Sequence, residues 1–176
     1  MKKIYVIFLA LAVVVTPMAQ AKSCILNGCQ YITNTTFSGG GTGWTTGGGN
    51  GVSYPSTNAC GASNTSAQLD NTEYMQQSFY VDDTYVEFHL SFDLYLLNDD
   101  DNWYDQLKVT VTDNSTNATE TFYFHGSSFD HNCSSPQVSF QLSNNYSLHN
   151  TTVKFENAYL ALGSYQIDNV GFWGFK

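Results

Sequence analysis

An acidic and aromatic stretch carries the most unusual chemistry in the chain: Asn98-Asp99-Asp100-Asp101-Asn102-Trp103-Tyr104-Asp105. Three consecutive aspartates repel one another unless solvent or a cation screens their charges. Because Ca²⁺ prefers oxygen ligands with carboxylates among them, the stretch predicts a loop calcium site formed by Asp99, Asp101 and Asp105. It does not match the EF-hand loop, which has Gly at its sixth position and Glu at its twelfth. The alternative interpretation is a solvated turn between two strands.

Two aromatic residues in this stretch, Trp103 and Tyr104, indicate a surface that binds sugars. A sugar ring has an apolar C–H face, and a flat aromatic side chain offers a matching surface at low entropic cost. Aromatic residues within an acidic loop are exposed more often than those within an apolar run. The alternative is that one of the two rings folds back and covers the domain.

A second group of candidate residues lies along an alternating segment at 86–96, where every even position is apolar and most odd positions are polar. This alternation predicts a strand with one face in the core and one face turned to water or ligand. Its polar face carries Glu87, His89, Asp93 and Tyr95.

The strands that follow would add Lys108, Thr110, Tyr123 and His125 to that face, provided that they belong to the same sheet. The combined face predicts a glycan cleft, with Tyr95 and Tyr123 as aromatic platforms. Its hydrogen-bonding side chains would be those of His89, Asp93 and His125. The alternative is an ordinary solvated sheet face, because Tyr and Thr favour strands in any case.

The elements that must position these residues are all predicted strands. Similar alternation with β-branched and aromatic residues recurs between clusters of Asn, Gly, Asp and Ser, and helical periodicity is absent. Many short strands separated by turn signals are typical of an antiparallel β-sandwich, so the predicted fold class is all-β. The further predicted strands lie at 66–69, 75–81, 107–112, 121–125, 138–142, 152–155 and 166–173.

The first 21 residues have the pattern of a secretory signal peptide. Lys2 and Lys3 precede an apolar run at 4–15, and Ala19-Gln20-Ala21 supplies a cleavage site. The apolar run is too short to span a bilayer comfortably. We therefore expect residues 22–176 to form one exported domain, free in the extracellular medium, or reaching it through the periplasm if the source is a Gram-negative bacterium.

The charge balance excludes one class of partner. Six lysines and no arginine stand against 15 acidic residues, and the signal segment would remove two of the lysines. Phosphate binding requires clustered Lys and Arg, so we expect no nucleic-acid binding. Membrane insertion is not expected either, whereas neutral sugars and calcium remain compatible with the charge.

Four cysteines follow the signal segment: Cys24, Cys29, Cys60 and Cys133. An even number of cysteines in an oxidising compartment predicts two disulfides. Three connectivities are open. We favour Cys24–Cys29 together with Cys60–Cys133, because the long-range bond would join two loops.

Three stretches in this order resemble carbohydrate-binding modules of the CenC type. They are the opening NTTFSGGGTGW at 34–44, the middle SAQLDNTEYMQQSFYVDDTYVEFHLSFDLYL at 66–96 and the closing YQIDNVGFW at 165–173. The resemblance covers most of the chain after residue 21. It implies a jelly-roll β-sandwich related to galactose-binding-like domains, which binds oligosaccharides or polysaccharides and often holds a structural calcium ion.

The resemblance also implies a position for that calcium ion. Its ligands would be the backbone oxygen of Thr36, the side chain of Ser38 and the carboxylate of Asp168. Here Ser38 stands where the family has an acidic residue. The alternative role for Asp168 is to accept hydrogen bonds from loop amides.

No catalytic constellation can be assembled from the sequence, although Glu120 or Glu156 could partner Asp93 from another strand. Glu87 and Asp93 lie six residues apart on one strand, about 20 Å by the strand rise, which is too far for a glycosidase pair. We therefore predict a secreted, non-catalytic glycan-binding protein, acting as an adhesin or surface-recognition factor toward a polysaccharide or a host or surface glycoprotein. The alternatives are a β-sandwich that binds another protein or has a structural role, and a small glycoside hydrolase.

Overall fold

The computed structural model describes residues 22–25, 27–97, 106–125, 137–158 and 163–176. These residues form eleven strands, and every strand pairing among them is antiparallel. No helix long and apolar enough to cross a membrane occurs within these ranges. The strands are β1 (Ser23–Ile25), β2 (Gly28–Gln30), β3 (Thr45–Gly47), β4 (Ala67–Leu69), β5 (Tyr74–Tyr80), β6 (Glu87–Leu97), β7 (Gln106–Asp113), β8 (Ala118–His125), β9 (Gln137–Leu142), β10 (Asn150–Asn157) and β11 (Ser164–Phe175).

The strands form two sheets. The six-stranded sheet has the order β1-β2-β11-β6-β9, and β4 also pairs with β11. The five-stranded sheet has the order β3-β5-β10-β7-β8. The all-β, antiparallel class predicted from the alternating pattern is therefore confirmed.

The core lies between the two sheets, and alternation decides which side chains enter it. Along β6, Phe88, Leu90, Phe92 and Leu94 are buried, while the intervening positions are partly exposed. Phe92 reaches across the core to Phe155 of β10, with ring centroids 5.1 Å apart. The side chains that alternate with these core residues therefore lie on the outer face of the sheet.

Trp44, which follows the glycine-rich segment, closes one part of this core. Its side chain is 8% exposed, and its ring lies 5.6 Å from that of Phe37 and 6.2 Å from that of Phe155. The indole Nε1 donates a hydrogen bond to the Asn34 carbonyl oxygen. The opening segment is thus anchored to the five-stranded sheet.

A disulfide closes the hairpin formed by β1 and β2. Cys24 and Cys29 face each other in register and are bonded, as predicted. Cys60 is also disulfide-bonded. Its predicted partner, Cys133, lies outside the described residues, as does the predicted signal peptide, so the Cys60–Cys133 pairing stays a prediction.

Candidate functional site

The residues predicted to form one glycan cleft are divided between the two sheets. His89, Asp93 and Tyr95 belong to β6 of the six-stranded sheet, whereas Tyr123 and His125 belong to β8 of the five-stranded sheet. The chain changes sheets between β6 and β7, so the outward sides of these strands point in opposite directions. The prediction of a single cleft is therefore wrong, and two outer faces must be considered separately.

Tyr95 is not the exposed platform that alternation predicted, since only 9% of it is exposed. A segment between β3 and β4 covers this end of the six-stranded sheet. The amides of Asn58 and Asn64 lie close enough to hydrogen-bond the Tyr95 hydroxyl, and burial raises its pKa. The Ala59 N–H donates to Gln166, which pairs with Tyr95 in register. Tyr95 therefore contributes to packing under this segment.

The outer face of the five-stranded sheet carries a continuous row of residues across all five strands. In register, Gly47 of β3 pairs with Tyr74 of β5, which pairs with Glu156 of β10. Glu156 pairs with Lys108 of β7, which pairs with Tyr123 of β8. We call this set the tyrosine row, because a tyrosine lies on each side of a central ion pair.

The two tyrosines present their rings differently. A side chain at Gly47 would come within 2.8 Å of three atoms of Tyr74, so the Tyr74 ring lies across the surface of β3. The Lys154 Nζ lies 4.4 Å from the centroid of this ring. Tyr123 is 54% exposed at the other end of the row. Three strand spacings separate the two tyrosines, a distance of about 14 Å.

The centre of the tyrosine row is charged. Glu156 receives Lys154 Nζ at 2.8 Å on one carboxylate oxygen and Lys108 Nζ at 3.5 Å on the other. Partial burial opposes ionisation of Glu156, but the Lys154 hydrogen bond and the charges of both lysines lower its pKa. Glu156 is therefore ionised at neutral pH. The face carries fixed donors and acceptors between two aromatic rings.

His125 continues this face beyond Tyr123, and Thr110 lies in the next row. His125 pairs in register with Gln106, and Thr110 pairs with Lys154 and Thr121. Four of the residues predicted from sequence, Lys108, Thr110, Tyr123 and His125, do share one face. The same face also contains Tyr74, Lys154 and Glu156, which were not predicted to belong to it. Their alternation with buried neighbours on β5 and β10 is the signal that would have found them.

The outer face of the six-stranded sheet has its own concavity, which we call the tryptophan groove. It encloses about 370 Å³. Of the residues predicted to form the cleft, His89 lines this groove but Asp93 does not. The Asp93 carboxylate instead accepts a hydrogen bond from the Asn169 side chain at 2.6 Å. The groove is lined by Ile25, Glu87, His89, Ser91, Gln137, Ser139, Trp173 and Phe175.

Asp168 is the described residue on which a calcium site would depend. It is 1% exposed, and its carboxylate accepts hydrogen bonds from the Asn64 side chain and from the Asn169 N–H. Burial raises its pKa, and Asp93, opposite in register, adds to this effect. These bonds correspond to the alternative role for Asp168, acceptance of hydrogen bonds from amides.

The surroundings of Asp168 are nevertheless compatible with a cation. Thr36 and Ser38 are exposed, and the Val170 N–H donates to the Thr35 carbonyl oxygen at 3.1 Å, so the opening segment runs beside β11. The Asn64 Oδ1 is buried without a hydrogen-bond partner among the described residues. Rotation of that amide would present an oxygen ligand beside the carboxylate. Calcium at Thr36, Ser38 and Asp168 stays a prediction.

The acidic and aromatic stretch lies outside the described residues. Nothing in the structure therefore tests the predicted ligands Asp99, Asp101 and Asp105, or the predicted sugar platforms Trp103 and Tyr104. Within the described ranges, no group of three or more His, Cys, Asp or Glu side chains could hold a metal ion.

Comparison with known proteins identifies the fold. No protein-family model matches the sequence, and no curated protein is similar to it in sequence. A solved structure described as family 16 carbohydrate-binding module 2 has 15% sequence identity and a TM-score of 0.57, covering 80% of this chain and 97% of its own. The module TmCBM61, solved with β-1,4-galactotriose, has 12% identity and a TM-score of 0.53, covering 81% of this chain and 97% of its own.

A larger protein contains a similar domain. The enzymatically active domain of tailspike protein 4 from bacteriophage CBA120 has 12% identity and a TM-score of 0.56 over 84% of this chain. This chain spans only 21% of that tailspike chain. The fold is therefore the jelly-roll β-sandwich of carbohydrate-binding modules, as the resemblance to the CenC type implied.

Proposed function

We propose that this protein is a secreted, non-catalytic glycan-binding protein that holds an oligosaccharide across the tyrosine row. The observation that carries the proposal is the in-register placement of Tyr74, Glu156, Lys108 and Tyr123 across the five-stranded sheet. The shared fold with carbohydrate-binding modules supports it, and so does the galactotriose bound to one of them. The Cys24–Cys29 disulfide supports export to an oxidising compartment.

The chemistry of the tyrosine row suits a neutral, hydroxyl-rich ligand. The Tyr123 ring, which is 54% exposed, offers a flat apolar surface for the C–H face of a sugar ring, and the exposed part of the Tyr74 ring beside the Lys154 ammonium offers a second, smaller one. Between them, the Lys108, Glu156 and Lys154 side chains offer charged donors and acceptors for sugar hydroxyl groups. Because these charges already neutralise one another in part, a neutral sugar does not have to supply a counter-charge.

The distance between the two tyrosines sets the size of the ligand. About 14 Å between their backbones exceeds the width of a single sugar ring. One ring stacked on Tyr74 therefore leaves Tyr123 free for another ring of the same chain. We propose that the ligand is an oligosaccharide or a segment of a polysaccharide, including the glycan of a surface glycoprotein.

The carboxylates on these faces support binding rather than hydrolysis. Glycoside hydrolysis generally needs one protonated carboxyl group and one carboxylate on either side of the scissile bond. Glu156, whose pKa is lowered, would not serve as the acid. Asp168 has a raised pKa, but it is 1% exposed and lies on the other sheet.

The decisive test is a pair of matched tyrosine substitutions. Tyr123 and Tyr80 lie on the same sheet and are 54% and 52% exposed, but Tyr80 is at the far end of β5 from Tyr74. After a glycan array run with calcium and again with chelator, the best oligosaccharide is titrated by calorimetry. We expect Tyr123→Ala to weaken binding about tenfold, or roughly 1.4 kcal/mol, and Tyr80→Ala to leave it unchanged.

Three results would overturn the proposal. Equal effects of the two substitutions would remove the tyrosine row from recognition. Release of reducing sugar that Glu156→Gln abolishes would make the protein a hydrolase. An array without any bound glycan, under either calcium condition, would favour the alternative of a protein partner. Tyr95→Ala is not used, because loss of that buried ring would disturb the fold.

A further inference from the structure

We propose that the tryptophan groove is a second saccharide site, which takes one or two sugar rings on the sheet opposite the tyrosine row. The two sites share no residue, since the groove is built by β6, β9, β11 and the β1–β2 hairpin. The groove can therefore bind a saccharide even if the tyrosine row binds nothing.

The floor of the groove is a row of small residues. Gly171 of β11 pairs with Ser91 of β6, which pairs with Ser139 of β9. The Trp173 indole and the Gln30 amide cover Gly171, which is buried, so the open floor is formed by Ser91 and Ser139, and the neighbouring row carries Trp173 and His89. A volume of about 370 Å³ lies within the range of small-molecule sites.

Aromatic rings form one wall. A side chain at residue 171 would come within 2.5 Å of the Trp173 Nε1, so the indole edge extends over Gly171 toward the floor. The Phe175 ring lies 6.3 Å from the Trp173 ring at an interplanar angle of 20°, and His89 meets Phe175 edge-on at 5.4 Å. These contacts hold the partly buried indole in a fixed orientation, which lowers the entropic cost of binding a ligand.

Apart from Ile25 at the rim, the other lining residues are polar and suit hydroxyl groups, although apolar atoms make up most of the surface of the groove. His89 Nε2 and Glu87 Oε1 lie 3.0 Å apart, and Gln137 and Ser139 on β9 are exposed opposite them. An aromatic wall with several uncharged or paired polar groups is the chemistry of sugar recognition rather than of phosphate binding. The disulfide-closed hairpin places Ile25, 62% exposed, at the rim.

The test observes both faces in one experiment. Backbone amide NMR spectra of the purified protein are recorded during titration with lactose, cellobiose and xylobiose as probes. We expect at least one probe to shift the amides of Ser91, Ser139 and Gly171. In Trp173→Ala we expect this set to stop responding, whereas Tyr123→Ala leaves it unchanged. Trp173→Phe, which keeps a ring, restores part of the response.

A second variant tests the groove in case Trp173→Ala does not fold. Ser139 is exposed on the edge strand β9, so Ser139→Phe fills the groove without touching the core. It is expected to abolish the same set of shifts while leaving the tyrosine-row amides responsive to the ligand identified on the array. The proposal fails if no probe shifts the groove amides, or if the shifts persist in both Trp173→Ala and Ser139→Phe.

Discussion

At the scale of single residues, the environment of each side chain changes the role that its type suggests. Tyr95 and Tyr123 are both strand tyrosines on outward positions, yet the first is 9% exposed and the second 54%. The difference comes from the segment around Asn58 and Asn64, which covers Tyr95 on the six-stranded sheet. An exposed ring is available for stacking, whereas a covered ring contributes to stability.

Asp168 gives a prediction that separates calcium binding from hydrogen bonding. Its pKa is raised by burial, so the folded state binds the proton more tightly than the unfolded chain does. Without calcium, its contribution to the free energy of unfolding therefore falls as pH rises from the ordinary aspartate pKa through the raised one. Asp168→Asn should remove this dependence, measured by denaturant unfolding in chelator at several pH values.

A second measurement on the same two proteins compares the midpoint temperature of thermal unfolding with and without calcium. A bound ion stabilises the native state by mass action, so calcium should raise the midpoint of the wild type and leave that of Asp168→Asn unchanged. A wild-type midpoint that does not respond to calcium would contradict a site at Asp168. An equal response in both proteins would place calcium elsewhere, with the Asp99–Asp105 stretch as the first candidate.

At the scale of the elements, the turn that joins β7 and β8 of the five-stranded sheet is stabilised by a buried carboxylate. Asp113 ends β7 and is 2% exposed. Its carboxylate accepts hydrogen bonds from the Ser115 and Thr116 N–H groups and the Thr116 hydroxyl, and lies 2.7 Å from His149 Nδ1. Burial opposes its ionisation, but these bonds outweigh burial and lower its pKa.

This turn should be sensitive to acid. A lowered folded pKa stabilises the protein above the ordinary aspartate pKa, and the stabilisation is lost as pH falls through the folded value. Asp113→Asn keeps the shape but loses acceptors, and we expect it to cost about 1–3 kcal/mol at pH 7. The cost should shrink at low pH. Asp83→Asn, a change at a surface ion pair, is the control, and a cost independent of pH would contradict this account.

Much of the element pattern could be predicted from sequence. The segments at 86–96, 107–112 and 138–142 correspond within two residues at each end to β6, β7 and β9, because alternation over five or more residues fixes the core face. Strands β1, β2 and β3 have three residues each, too few to show alternation. They depend on a disulfide and on neighbouring strands, which periodicity does not report.

The candidate site was predictable only in part, for a related reason. Alternation tells which side of a strand faces the core, but not to which sheet the strand belongs. His89 and Tyr123 were therefore placed in one cleft although their strands lie in different sheets. The tyrosine row depends on the register of five strands, and those strands are not consecutive in the chain. Such long-range register is decided by packing of the whole core.

At the scale of the whole molecule, the charge distribution predicts how binding responds to salt. The protein has a formal net charge of −9, yet two of its lysines, Lys108 and Lys154, lie together in the tyrosine row around Glu156. A neutral oligosaccharide bound by stacking should lose less than about twofold in affinity between roughly 0.01 and 1 M salt, where the Debye length falls from about 30 to 3 Å.

The contrary result would be informative in itself. A steep loss of affinity with salt, measured by calorimetry on the same oligosaccharide, would contradict stacking as the main source of affinity. It would indicate that a ligand carboxylate or sulfate replaces Glu156 beside the two lysines. A desulfated or carboxyl-reduced form of that oligosaccharide is then the control, since it should restore insensitivity to salt.

The position of the chain ends has a practical consequence. The first and last strands, β1 and β11, both belong to the six-stranded sheet, and the Lys176 N–H bonds the Asn27 carbonyl oxygen. Lys22 and Lys176 form ion pairs with Asp82 and Asp83 in the loop after β5, at the opposite end of that strand from Tyr74. A tether attached at either end of the described chain therefore leaves at the far end of β5 from Tyr74, and one at Lys176 leaves beside Phe175, which lines the tryptophan groove. On a sensor chip, immobilisation through the C-terminal end would leave the tyrosine row open to the solution and hinder the groove, whereas the two faces are equally accessible in free solution.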